Sequence, residues 1–317
     1  MNNIFKSKYP ILEACMNKGS TLQLALALDK VGVYPSLCSW TYNKDFDLMQ
    51  KELDMYVNKT GNNKIHLSFD LNELPNPDIC HKIIDSYKLP TVEIIFVDYV
   101  GQKTENIDLK KLKNITKPLH DAGVKIFARI CDLISNDFLN DYYIDGLCIK
   151  GSESAGYTGN WPLNKLFFAQ KKITPNAYLI PYGGIGTADQ VSHYLNNGAE
   201  MIAIGSLFAF SKESPFSEIT KQKVIQSSSS NLTEYDHSRQ TENKTISRKQ
   251  NALILKKLNI FDGPNKIKSL LLGLYSDKSI GHIYIGKSVD NITEILSCQE
   301  IVNNLMGKFE IDACKPV

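Results

Sequence analysis

The sequence has no apolar run approaching the length of a membrane span, and its opening residues, Met1 to Lys8, hold no apolar stretch of the kind a secretory leader carries. Both absences point to a soluble, cytoplasmic protein with no membrane partner. Neither charge is in excess. The 36 basic and 34 acidic residues leave a formal net charge of +2 spread over 317 residues, which excludes the electrostatic footprint of a nucleic-acid binder. The seven cysteines, Cys15, Cys38, Cys80, Cys131, Cys148, Cys298 and Cys314, are odd in number, scattered and free of any C-x-x-C pair. Neither a disulfide framework nor a zinc site is expected from them, and they read as small core residues in a reducing compartment. The six histidines match no metal spacing either, so no metal is expected.

What the chain does have is apolar material, 43% of its residues, enough for one large core. This material comes in short runs separated by helical periodicity. Apolar runs at Tyr9–Met16, Val33–Ser36, Lys64–Leu71, Val92–Val97, Lys125–Ile130, Gly146–Ile149, Ala177–Pro181 and Glu200–Ile204 suit buried strands. Between them lie helical stretches such as Leu22–Val31, Phe46–Val57, Asp78–Tyr87 and Ala188–Asn196. Strand and helix alternate about eight times with short links, which is the order an eight-stranded α/β barrel requires. The expected fold is therefore a (β/α)8 TIM barrel over 1–215. A polar segment, 216–250, follows as a mobile excursion or lid, and a helical C-terminal extension, 251–317, packs back on the barrel. Helical character in that extension is read at Lys249–Leu258, Ile267–Tyr275 and Cys298–Phe309.

Three of the expected strands end in small residues. Ile149 runs into Lys150-Gly151-Ser152-Glu153-Ser154-Ala155-Gly156-Tyr157-Thr158-Gly159; Ile180-Pro181-Tyr182 runs into Gly183-Gly184; and Ile204 runs into Gly205-Ser206. Such ends let backbone N–H groups approach a ligand above the strands, and a helix N-terminus can reinforce them, so the last two loops form a plausible phosphate cup.

These residues carry a family resemblance. The Gly151–Gly159 run resembles the G-x-E-x-(A/G)-G-H-x-G loop of the nitronate monooxygenase (2-nitropropane dioxygenase-like) family. In the same order, Pro181–Ile185 resembles its A-A-G-G-I, and Gly198–Phe208 resembles its G-A-D-x-V-x-x-G-T-x-F. Tyr9–Leu12 with Met16 matches its opening strand, and Ile283–Ile292 with Ile301-Val302 matches its C-terminal part, so the resemblance covers nearly the whole chain. It implies an FMN-dependent barrel in which Gly183, Gly184, Gly205 and Ser206 hold the phosphate. Met16, Gly151 and Gly156 would contribute to the cofactor site, Glu153 would brace the loop, and Arg129 would stand where some members place a Lys beside the flavin.

Two departures bear on the chemistry. The family's acid/base His is Tyr157 here, and a phenol with an ordinary pKa near 10 donates a proton more readily than it accepts one at pH 7. Tyr157 is thus expected as a hydrogen-bond donor or general acid, or as an aromatic wall of the pocket. Asp70 falls near the family's flavin-side Asn. The resemblance implies a flavin oxidoreductase whose small-molecule substrate reduces FMN at N5, with O2 as reoxidant. A second possibility is an NAD(P)H-dependent enoyl reductase with an acyl carrier protein as partner, because Thr158–Leu163 is similar to the T-D-N-R-P-L of flavin-dependent enoyl reductases. A barrel that has lost catalysis and serves as a scaffold is a third, and a homodimer is left open. Ile204–Ala209 also resembles the phosphate loop of inosine-monophosphate dehydrogenases, but the Cys that their chemistry needs is missing from Gly151–Trp161.

Overall fold

Strands buried on both faces need apolar residues at successive positions, and eight such runs make one parallel sheet in the computed structural model. The structure describes residues 4–43, 45–95, 107–240, 245–256, 264–276, 278 and 280–307, with the backbone alone for 235–240, 245–250, 256 and 264–267. The ends expected at Val97, Leu258 and Phe309 lie outside the described residues. The strands are β1 (Ile11–Glu13), β2 (Ser36–Cys38), β3 (His66–Asp70), β4 (Thr91–Ile95), β5 (Lys125–Ile130), β6 (Gly146–Lys150), β8 (Tyr178–Tyr182) and β9 (Ile202–Ile204); β7 (Gly156–Thr158) lies in the loop after β6, outside this sheet. Their order, β1-β9-β8-β6-β5-β4-β3-β2, closes into a barrel through a parallel bridge between Leu12 and Tyr34. There Glu13 N donates to Tyr34 O at 2.8 Å and Tyr34 N donates to Ile11 O at 3.0 Å. The fold is a (β/α)8 TIM barrel. The second strand starts at Ser36 rather than at Val33 because Pro35 has no N–H to contribute to a ladder.

The helices are α1 (Leu22–Val31), α2 (Ser39–Tyr42), α3 (Phe46–Thr60), α4 (Pro77–Tyr87), α5 (Leu109–Asp121), α6 (Asn136–Asp141), α7 (Leu163–Ile173), α8 (Ala188–Asn196) and α9 (Ser206–Ala209). Their starts follow from capping residues: Thr21, Asp45, Asn76, Asp108, Ser135 and Thr187 each accept a backbone N–H of the first turn. Each such cap contributes about 1 kcal/mol. The buried face of α1, Leu24, Ala25 and Leu28, joins the shell between helices and strands. A second cluster, with Phe5, Tyr34, Phe127 and Ile180, fills the barrel interior. Phe127 occupies that space so fully that a Cβ on Gly146 would come within 2.7 Å of both its ring and Tyr178 O.

Beyond the barrel come α10 (Glu218–Ile225), β10 (Thr233–Gln240), β11 (Thr245–Lys256), α11 (Pro264–Tyr275), β12 (Gly281–Tyr284) and α12 (Cys298–Met306). The helical reading of Lys249–Leu258 is corrected here: residues through Lys256 are strand. The run Ala252-Leu253-Ile254-Leu255 suits either period, and pairing decides it. β11 takes β10 along one edge, while its other edge pairs first with β7, Asn251 opposite Gly156, and then with β12, Leu253 opposite Ile283. The polar segment expected as an excursion or lid thus contributes β10 to a sheet that reaches the loop after β6. Helix α12 has a Ser297–Glu300 capping box and packs back on α1 and α8. Among the described residues, no helix is long and apolar enough to cross a membrane.

Candidate active site

The C-terminal ends of the barrel strands surround a cavity of about 450 Å³. Of the residues singled out in the sequence, Met16, Asp70, Arg129, Gly156, Tyr157, Gly183, Gly184, Gly205 and Ser206 line it; Gly151 and Glu153 do not. A Cβ on Gly151 would come within 2.6 Å of Leu163 N, so this glycine lets β6 approach the start of α7. Glu153 turns to the same helix: its Oε2 accepts from Leu163 N at 2.9 Å, supplying the N-terminal partner that Pro162 lacks the means to offer.

The loops after β6 and β8 fit together closely. Gly183 and Gly184 both have positive φ, +92° and +73°. A Cβ on Gly183 would overlap Ser154 Oγ, and one on Gly184 would lie 2.6 Å from the Cβ of Glu153. Only glycine meets both demands. Gly205 is different, since a Cβ there would meet Ala14 and Met16 at 3.4 and 3.5 Å, ordinary contact. Ser206 opens α9, and its Oγ accepts from Gly286 N at 3.3 Å, which ties the last barrel loop to the C-terminal segment.

On the opposite side the floor is charged. Glu93 on β4 accepts from Arg129 Nε at 2.7 Å and Nη2 at 2.6 Å, and Ser68 Oγ donates to it at 2.6 Å. Burial is the largest influence and opposes both charges, but the partner's charge and hydrogen bonds together with smaller contributions from their neighbours outweigh it: the Glu93 carboxyl is held below its ordinary value and Arg129 above its own. The guanidinium lies 5.0 Å from the Tyr182 ring centre and 5.9 Å from that of Trp40. Trp40 Nε1 in turn donates to Asp70 Oδ2 at 2.8 Å, and Asn72 N donates to Oδ1 at 2.8 Å. His66, Glu93 and Cys148 bring one possible ligand atom each within 4.8 Å of one another, yet Glu93 is committed to Arg129 and Ser68 and burial keeps the Cys148 thiol protonated.

Lys150, the last residue of β6 and across the ladder from Tyr182, also lines the cavity. The sequence reading missed it. Its place immediately before Gly151 was the available signal, because the final residue of a barrel strand faces the site. No carboxylate forms an ion pair with it among the described residues. Burial, followed by the positive charge of Arg129, pushes its ammonium down to about 7. Tyr157 stands on β7, its backbone opposite Gln250 of β11. The C-terminal segment closes the cavity with Leu270, Leu274 and Tyr284, and Phe216 adds to that apolar wall. Tyr284 lies in the Ile283–Ile292 stretch already matched to the family, but no sequence motif marked Phe216, Leu270 or Leu274.

The model of the nitronate monooxygenase family matches residues 104–308. The chain belongs to the nitronate monooxygenase family. It is accordingly an oxidoreductase of a flavin-dependent kind, and three solved structures share the fold. FabK from Thermotoga maritima has 21% identity and a TM-score of 0.76 over 97% of this chain and 94% of its own. A nitroalkane oxidase from Streptomyces ansochromogenes has 15% identity and a TM-score of 0.70 over 95% and 96%. The enoyl reductase domain of MlnA, from the macrolactin biosynthesis cluster of Bacillus amyloliquefaciens, has 13% identity and a TM-score of 0.67 over 98% and 95%. No curated sequence matches. The cavity suits the family's flavin: small residues open space over β8 and β9, a lysine with no ion-pair partner among the described residues lines it, and aromatic rings flank the floor.

Proposed function

We propose that this nitronate monooxygenase family member binds FMN in the cavity and oxidises a small nitronate or nitroalkane, with O2 as the final electron acceptor. FMN, when bound, supplies the two-electron chemistry. Gly183, Gly184, Gly205 and Ser206 would hold its phosphate, and Met16, Asp70, Arg129 and Gly156, which line the same cavity, would contribute to the rest of the cofactor site. The observation that carries the reading is Lys150. A nitronate is an anion, and a protonated Lys150 binds it; a nitroalkane must lose a carbon proton, and the neutral amine, present in quantity near pH 7, accepts it. Lys150 thereby takes the place of the imidazole that Tyr157 replaces, and the Tyr157 hydroxyl orients the substrate as a donor. The apolar wall of Phe216, Leu270 and Leu274 excludes water from the reacting carbon and receives an alkyl chain.

The same wall supports a second reading, in which an enoyl chain lies against it and NADPH reduces the flavin. An acyl carrier protein would then deliver the substrate. Anaerobic mixing separates the two. Propyl nitronate bleaches the flavin band in the absence of pyridine nucleotide under the first reading, and NADPH bleaches it under the second. A flavin-loaded protein that responds to neither sinks both.

A further inference from the structure

Cys15 and Cys38 stand 23 residues apart at the ends of β1 and β2, and closure of the barrel brings them together as a disulfide with a Cα–Cα distance of 5.8 Å, inside the range that a disulfide spans. This overturns the expectation that the cysteines form no disulfide; a pairing made by strand closure leaves no signal in spacing. The two sulfurs differ in access. Cys38 is fully buried, packed with Ile95 and beneath Trp40, whereas Cys15 is 8% exposed and lines the cavity. Through the cavity a reductant meets Cys15 first, and it does so by way of whatever the cavity holds.

We propose that Cys15–Cys38 is a redox-active disulfide that exchanges electrons with the cavity's flavin. The inference rests on the FMN reading given above. In the reductive direction, the dihydroflavin gives up two electrons and two protons; the S–S bond breaks, Cys15 and Cys38 become thiols, and the flavin returns to its oxidised form. The reverse step reduces the flavin and remakes the bond. The pair thus doubles the electron capacity of the site, and a burst of reducing substrate can be stored as dithiol until an acceptor arrives. The exchange needs the attacked sulfur to be within reach of the ring, and Cys15 is the one that borders the cavity beside Met16. The other described cysteines do not compete. Burial pushes the Cys131 thiol up to about 11 and raises Cys80, Cys148 and Cys298 beyond it, which leaves them as inert thiols at neutral pH.

The experiment has two parts. Air-oxidised protein is denatured in iodoacetamide without reductant and mapped by mass spectrometry, with and without FMN added beforehand. The expected result is a linked pair of peptides holding Cys15 and Cys38, lost after dithiothreitol. FMN-loaded protein is then titrated anaerobically with dithionite while the flavin band is followed. Four electrons per flavin are expected, falling twofold to two in Cys38→Ser. The wild-type stoichiometry decides the matter even where the variant fails to fold. A normal flavin band that is exhausted by two electrons in the wild type, or full alkylation of both cysteines after air oxidation, overturns the proposal and leaves the FMN reading standing. A chain that takes up no FMN overturns both.

Discussion

Replacing Arg129 with Met removes the guanidinium from a carboxylate that, among the described residues, has no other Lys or Arg in an ion pair with it. Glu93 is fully buried, and two of its three close donors come from Arg129. Breaking a buried pair from one side costs about 3–5 kcal/mol, because the remaining charge stays in a poorly solvating interior. The barrel supplies its own comparison. Glu13 on β1 is equally buried, accepts from Ser36 N at 2.9 Å and forms no ion pair among the described residues, and burial raises its carboxyl to about 8. In Arg129→Met, Glu93 should move in the same direction. The sign follows: in the wild type Glu93 is held below its unfolded value, so its contribution is present above that value and is lost as pH falls. In the variant its folded value lies above the unfolded one, so its contribution is present at low pH and is lost as pH rises. The stability difference between the two proteins should therefore grow from pH 5 to pH 8, at up to about 1.4 kcal/mol per pH unit. Urea unfolding at several pH values measures it, and Glu13 cancels because both proteins contain it. Adding Glu93→Gln to the variant should flatten the dependence. A loss that is the same at pH 5 and pH 8, or one below about 1 kcal/mol throughout, would refute the reasoning.

Gly184→Ala forces a Cβ to within 2.6 Å of Glu153 at φ +73°, and a loss of about 1–3 kcal/mol together with weaker FMN binding is expected from thermal melts and fluorescence titration. Lys150→Met should remove the limb of the kcat/KM profile with nitroalkane that rises through pH 7 and lower its plateau by about 100-fold, the scale of a lost general base; an unchanged profile places the proton elsewhere. Tyr157→Phe should raise KM with little change in kcat if the hydroxyl only orients the substrate, and steady-state kinetics distinguish this from a collapse in kcat that would make it the proton donor.

The strands were legible because each is a continuous apolar run bounded by turn residues, and the glycine pairs were legible because backbone at positive φ tolerates little else. The parts that escaped are those whose meaning comes from distant partners. The stretch Lys249–Ile254 became strand through the pairing of Asn251 with Gly156 and of Leu253 with Ile283, contacts across about a hundred residues in one case and about thirty in the other. Cys15 met Cys38 through barrel closure. Lys150 differs from these, since its place at the end of β6 was readable; what the sequence concealed was its burial beside Arg129, with no ion pair to a carboxylate among the described residues. Leu270 and Leu274 reach the cavity only because α11 and β12 are laid over the barrel mouth, which helical periodicity alone does not specify.

The central claim is that the loops after β8 and β9 grip a phosphate in the cavity, and the most direct test compares FMN with riboflavin by fluorescence quenching of the flavin-free protein. With hydrogen bonds to a charged group worth about 1.5–3 kcal/mol each, one of them predicts that FMN binds at least about 10-fold more tightly than riboflavin and two predict at least about 100-fold, at one site per chain. Equal affinity for the two would contradict the phosphate cup, and no quenching by either would contradict the flavin site itself.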